Sequence, residues 1–242
     1  MSLKKTIKMP TFQSEKISIP DLHVVISLFF ILIIIKTGMV LLFGISTPIT
    51  YYDELYYAKF AESFFHSMDF TYHGNPSNQF PPLYSIFISV AYLFTDPHTS
   101  YIFIMVLNGI LFSTIIFPIW LLSRMFLPRN EAFCFTILAS FFLPYNYSYL
   151  FTVMSENLFF PILISSIFLL LKSIQNNSLK YDVLCGFFFG LAYLTKTVGV
   201  ALILTYFVCL LIYGFLKYQE HSSYSYHDIW DINDLGKGLL KI

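Results

Sequence analysis

Long apolar runs broken by short polar stretches dominate the chain. With about 20 apolar residues taken as one crossing of a bilayer, helices are predicted at Leu22–Ile45, Tyr101–Ser123, Ala132–Phe151 and Leu158–Ile174. Tyr181–Leu216 is too long for one helix and is interrupted at Lys196, Thr197 and Gly199, so it reads as a hairpin of two shorter spans. The expected fold class is all-α: a polytopic transmembrane helical bundle of about six spans. Pro82–Phe94 is short for a span and lies between Pro81-Pro82 and Asp96-Pro97. If it does not cross, Arg124, Arg129, Lys172, Lys180 and Lys217 share the inner side with the basic N-terminus, and Lys59 and Lys196 are left outside. The excess of Lys and Arg on inner loops favours this arrangement, with 82–94 an interfacial or re-entrant helix. The loop 46–100 and the turn at Glu156 then share the external face, where distant acidic residues can meet.

Three regions follow: a cytoplasmic tail 1–21, a transmembrane module 22–217 whose first external loop carries surface helices, and a polar tail 218–242 too poor in apolar residues to fold alone. The apolar run from Leu22 follows basic residues as in a signal peptide. It is too long for an h-region and lacks a small-residue cleavage site, so it reads as an uncleaved first span.

Composition sharpens the picture. The chain of 242 residues is 57% hydrophobic and 12% charged, with a mean hydropathy of +0.68. A soluble domain carries about 25% charged residues, so an ordinary cytosolic fold is excluded. The formal net charge is zero, without a basic run, and nucleic acid is not an expected partner. Cys134, Cys185 and Cys209 stand alone in apolar stretches and form neither a metal spacing nor a disulfide framework.

The candidate chemistry lies in the loops. From Asp53, the pattern of Leu55, Ala58, Phe60, Ala61, Phe64 and Phe65 suits a helix lying on the membrane, with Glu54, Lys59 and Glu62 wet. Asp53 is placed to cap this helix, and a capping Asp followed by Glu needs no catalysis; sequence physics favours the cap. Glu156 begins an apolar helix: it is either a residue favoured by the helix dipole, with Ser155 as cap, or a functional carboxylate at the membrane edge. Lys196, at the tip of the apolar hairpin, either snorkels or neutralises a phosphate. His66, His73 and His98 lack zinc-site spacing, and the sequon Asn146-Tyr147-Ser148 falls within a predicted membrane helix.

Asp53-Glu54-Leu55-Tyr56-Tyr57-Ala58, followed by Phe80-Pro81-Pro82-Leu83-Tyr84, resembles the first loop of GT-C glycosyltransferases, especially the protein O-mannosyltransferase and aminoarabinose transferase group. Ser155-Glu156-Asn157-Leu158 and the Gly-rich stretch Gly186–Lys196, ending Leu194-Thr195-Lys196, are similar to later motifs of that superfamily. The resemblance covers Leu22 to Leu216. It implies a polyprenyl (dolichyl)-phosphate sugar donor, inversion at the anomeric carbon, and a protein or glycolipid acceptor on the external face. Asp53, Glu54 and Glu156 would be the catalytic carboxylates, and Asp53 and Glu156 the candidate ligands of a divalent metal. Lys196, Tyr57 and Pro82 would contact substrate. Such enzymes are longer, so the chain is expected to be a front module, a truncated product or half of a two-chain enzyme. The competing reading is a non-catalytic membrane protein, a transporter part or assembly subunit, in which the carboxylates only cap helices.

Overall fold

The computed structural model describes residues 18–44, 51–72, 74–76, 79–142, 145–176, 178–209, 211–212 and 215. The polar tail 218–242, His73 and most of the N-terminal tail lie outside these. The chain divides into two units, 1–200 and 201–242. In the second, residues 201–209 are helical. All that follows concerns the first.

Helix α1 spans Ile19–Phe43. The Ser18 hydroxyl accepts from the Asp21 N–H at 3.3 Å and opens it three residues before the predicted start. Its residues are apolar all round, yet only one stripe is buried: Val25, Leu32, Lys36 and Val40. Phe30, Ile34 and Leu42 stay exposed on the remaining surface, the pattern of a helix solvated by lipid. Val25 and Leu32 pack with Ile116, Trp120 and Ala132, whereas Val40 packs with Met105 and Leu150.

The next elements are short and belong to the first loop. Helix α2 (Tyr52–Ser67) leads to a short antiparallel hairpin of β1 (Thr71–Tyr72) and β2 (Asn75–Pro76). Gly74, at φ +79°, supplies the left-handed residue of its turn. Helix α3 (Leu83–Ile88) runs into a 3₁₀ turn, Ser89–Leu93. At 1.5–2.0 Å per residue this segment is shorter than a ~30 Å hydrocarbon core. It packs on α2, where Ser85 Oγ donates to the Tyr57 carbonyl at 3.1 Å and Tyr92 Oη to the Ala58 carbonyl at 2.8 Å.

Helices α4 (Pro97–Ser113) and α5 (Ile116–Ser123) form one 27-residue apolar rod that is interrupted at 114–115. Asp96 caps it through the Thr99 N–H at 2.9 Å, four residues before the expected start. Helix α6 (Arg129–Phe142) is followed by the single turn α7 (Tyr145–Ser148). Of the helix expected over Ala132–Phe151, 129–142 and 145–148 are helical, 143–144 lie outside the described residues, and 149–151 form a turn. Helix α8 (Glu156–Asn176) packs against α9 (Leu179–Thr195), and a 3₁₀ turn, Thr197–Gly199, follows. Among the described residues, three helical segments, Ile19–Phe43, Pro97–Ser123 and Glu156–Asn176, are long and apolar enough to cross a bilayer; α6, at 14 residues, and α9, at 17, are shorter.

Polar ties mark the two ends of the bundle. At one end, Arg129 Nε donates to buried Asp21 at 2.6 Å and joins the starts of α1 and α6. At the other, α2 bonds to the segment before α8.

Candidate active site

The sequence pattern of α2 survives with one exchange of roles. Ala58, Phe60 and Ala61 are buried, and Lys59 pairs with Glu62 at 2.7 Å on the wet side. The helix begins at Tyr52 and not at Asp53, so Asp53 is not its cap. That function passes to Glu54 at the third helical position: its Oε1 accepts the Tyr51 N–H at 3.2 Å. Glu54, expected to be wet, is only 2% exposed, and its Oε2 accepts the Val153 N–H at 3.0 Å. Asp53 is half-buried, and its carboxylate makes no hydrogen bond to a described residue.

One turn on, Tyr57 is buried and donates from Oη to Ser155 Oγ at 3.0 Å. Ser155 therefore bonds sideways to the first loop, and its Oγ lies 3.5 Å from Glu156 Oε2. Burial pushes the Tyr57 hydroxyl up to about 12, with the negative charges of Glu156 and Asp53 adding to the effect against the Ser155 bond. Tyr57 thus remains a proton donor at neutral pH, in an environment that both carboxylates share. Glu156 Oε1 pairs with Lys196 Nζ, 40 residues later in the chain. Lys196 is extended at φ −152°, between the end of α9 and the 3₁₀ turn. Gly199 makes that turn, because a Cβ there would lie 2.5 Å from the Ala192 carbonyl carbon.

Next to Lys196, the end of α9 and the first loop line an open cleft of about 360 Å³. Phe80, Pro81 and Pro82 line one part of it, and Tyr193, Leu194 and Thr197 another. Behind the site, Tyr84 Oη donates to Asn108 at 2.8 Å, and Asn108 Nδ2 to the Thr152 carbonyl at 2.9 Å. Asn157 Nδ2 bonds the Tyr149 carbonyl at 2.8 Å, so the connector before α8 is held from two helices.

No group of three or more His, Cys, Asp and Glu side chains that could hold a metal occurs among the described residues. Of the two carboxylates expected as metal ligands, Glu156 is paired with the Lys196 ammonium and Asp53 is half-buried. A residue with no place in the sequence reading is Lys36. It is 1% exposed within α1, and its Nζ stands 4.4 Å from the centre of the Phe112 ring. Its signal was a single charge in an otherwise apolar run, Ile33 to Leu42.

A helical, membrane-embedded bundle with loop carboxylates and a lysine gathered beside an apolar cleft has the features of a membrane glycosyltransferase of the dolichyl-phosphate-mannose type, and the family comparison supports that class. Residues 79–226 match the model of the family described as dolichyl-phosphate-mannose-protein mannosyltransferase, and the chain belongs to that family. The match includes Pro82, Glu156 and Lys196; Asp53, Glu54 and Tyr57 precede it. No curated protein and no solved structure matches the chain.

Proposed function

We propose that the chain carries the donor-phosphate and proton-transfer groups of an enzyme that moves a sugar from a polyprenyl (dolichyl) phosphate to a protein hydroxyl on the external face of the membrane. The observation that carries this reading is the Glu156–Lys196 pair beside the apolar cleft, with Asp53 close enough to act on the same Tyr57 hydroxyl. In this reading Asp53 takes the acceptor hydroxyl proton as the oxygen attacks the anomeric carbon. The bond from that carbon to the phosphate oxygen breaks on the opposite side, with inversion, and polyprenyl phosphate leaves. Its growing charge falls to Lys196, a compact cation next to the apolar-lined cleft. Glu156 holds Lys196 in place until phosphate arrives.

Transfer and donor binding, measured with a polyprenyl-phosphate mannose and an acceptor peptide on the protein in nanodiscs, test this. Asp53→Asn should lower turnover by about 10²–10⁴-fold, the usual yield of a positioned base, and leave donor affinity intact. Lys196→Gln should weaken donor binding by about 10- to 150-fold, the equivalent of a charge-assisted bond of about 1.5–3 kcal/mol, and Lys196→Arg should retain part of it. Equal donor affinity across the lysine series, together with wild-type turnover in Asp53→Asn, would return both residues to structural roles.

A further inference from the structure

Glu54 adjoins the proposed base in sequence, yet both of its oxygens are occupied by backbone donors. One comes from its own loop, Tyr51 N–H at 3.2 Å, and the other from Val153 N–H at 3.0 Å, 99 residues away. Val153 is 1% exposed and lies in the non-helical connector between α7 and α8, where no helix ladder serves its N–H. A buried N–H in such a stretch needs an acceptor from elsewhere, and Glu54 supplies it. Two residues further on, Ser155 receives the Tyr57 hydroxyl, and Glu156 holds Lys196.

We propose that Glu54 is a positioning residue: it clasps the connector to the first loop, and so sets Asp53 at working distance from Glu156 and Lys196 without carrying a proton itself. The chemistry of the pairing explains the residue type. Both incoming groups are donors, and a carboxylate offers two acceptor oxygens where an amide would set its own NH₂ against one of them. Aspartate is one methylene shorter and reaches the two N–H groups less well. The proposal rests on the reading of Asp53 and Lys196 given above.

Glu54→Gln and Glu54→Asp, measured in nanodiscs with the same donor and peptide, test it. In Glu54→Gln, kcat is expected to fall by about 100-fold, the effect of roughly 1 Å of misplacement. Donor KM should stay in place because Lys196 is untouched, and the acid-side limb of the pH profile should persist in the residual activity. Glu54→Asp should recover part of kcat. Hydrogen exchange of the Val153 amide should quicken in Glu54→Gln whether or not sugar is transferred. Loss of the acid-side limb would make Glu54 the proton carrier and overturn the proposal. Unchanged kcat per folded molecule would reduce Glu54 to a stabilising bond, and unchanged Val153 exchange would remove the clasp itself. A wild-type protein that moves no sugar while Val153 responds as expected would count against the proposed function and leave the clasp standing.

Discussion

Gly199→Ala is the substitution whose consequence is written most directly in the backbone. A Cβ at Gly199 would lie 2.5 Å from the Ala192 carbonyl carbon, 2.6 Å from the Tyr193 nitrogen and 2.7 Å from the Ala192 oxygen. All three are main-chain atoms of the last turns of α9, so no side chain can rotate aside. The turn must open, or α9 must give up its end. Either change moves Lys196, whose N–H bonds the Ala192 carbonyl at 2.9 Å and whose own carbonyl accepts the Gly199 N–H at 2.8 Å. Overpacking of a tight site costs about 1–3 kcal/mol. Glu156, with its side chain 10% exposed, also loses its partner, so the upper part of that range is expected. Gly186→Ala is the matched control on the same helix, where an added Cβ meets nothing within 4 Å. It should be neutral, or stabilising by about 0.5–1 kcal/mol through helix propensity. Thermal unfolding of both variants in nanodiscs, with donor titration, reads the difference. Equal melting temperatures and equal donor affinities would refute the claim that close approach at Gly199 sets the position of Lys196.

Tyr57 makes a pH-dependent contribution to stability. Its hydroxyl titrates near 12 in the folded chain, and in the unfolded chain near the ordinary value of about 10. The folded state therefore keeps a proton that the unfolded state loses, and this contribution, present below pH ~10, is lost as pH rises toward ~12. Tyr57→Phe should flatten that part of the melting curve series by at most about 3 kcal/mol, and an unaltered slope between pH 9 and 12 would count against it. The Lys36 ammonium makes no hydrogen bond to a described residue and faces Phe112, so Lys36→Met should keep the packing of its stem and melt at the wild-type temperature or above it. A fall in melting temperature, or loss of transfer in a well-folded Lys36→Met, would show that the ammonium has a task within the membrane.

The sequence made the succession of apolar rods and the buried and wet sides of α2 largely legible, because span length and the alternation of wet and apolar positions depend on local composition. It could not show which face of a rod is buried. Helix α1 is apolar on every side, so periodicity carries no phase, and the buried stripe through Val25, Leu32 and Val40 is chosen by contacts with α4, α5 and α6. Lys36 would have marked that stripe, since a charge in an apolar run belongs on the inner side. The helix caps misled for a related reason. Tyr51 and Glu54 have the spacing of a capping box without the usual Ser or Thr, so the sequence points to Asp53 as the cap instead.

Each candidate residue was ambiguous while it stood alone, for a carboxylate at a helix start is more often a cap and a lysine at a hairpin tip more often an interfacial anchor. Space removes part of that ambiguity by giving the ordinary tasks to other atoms. Glu54 takes the cap of α2, and Asp53 is left without a structural bond among the described residues. Ser155 turns to Tyr57, and Lys196 directs its ammonium to Glu156. These pairings run between residues 54 and 153, 57 and 155, and 156 and 196. No local pattern could have supplied them. They exist because α2 and the connector before α8 share one end of the bundle, while the break after α9, which Gly199 permits, turns Lys196 back toward the same place. The Asp21–Arg129 tie, by contrast, lies at the start of α1, away from this meeting of the two loops.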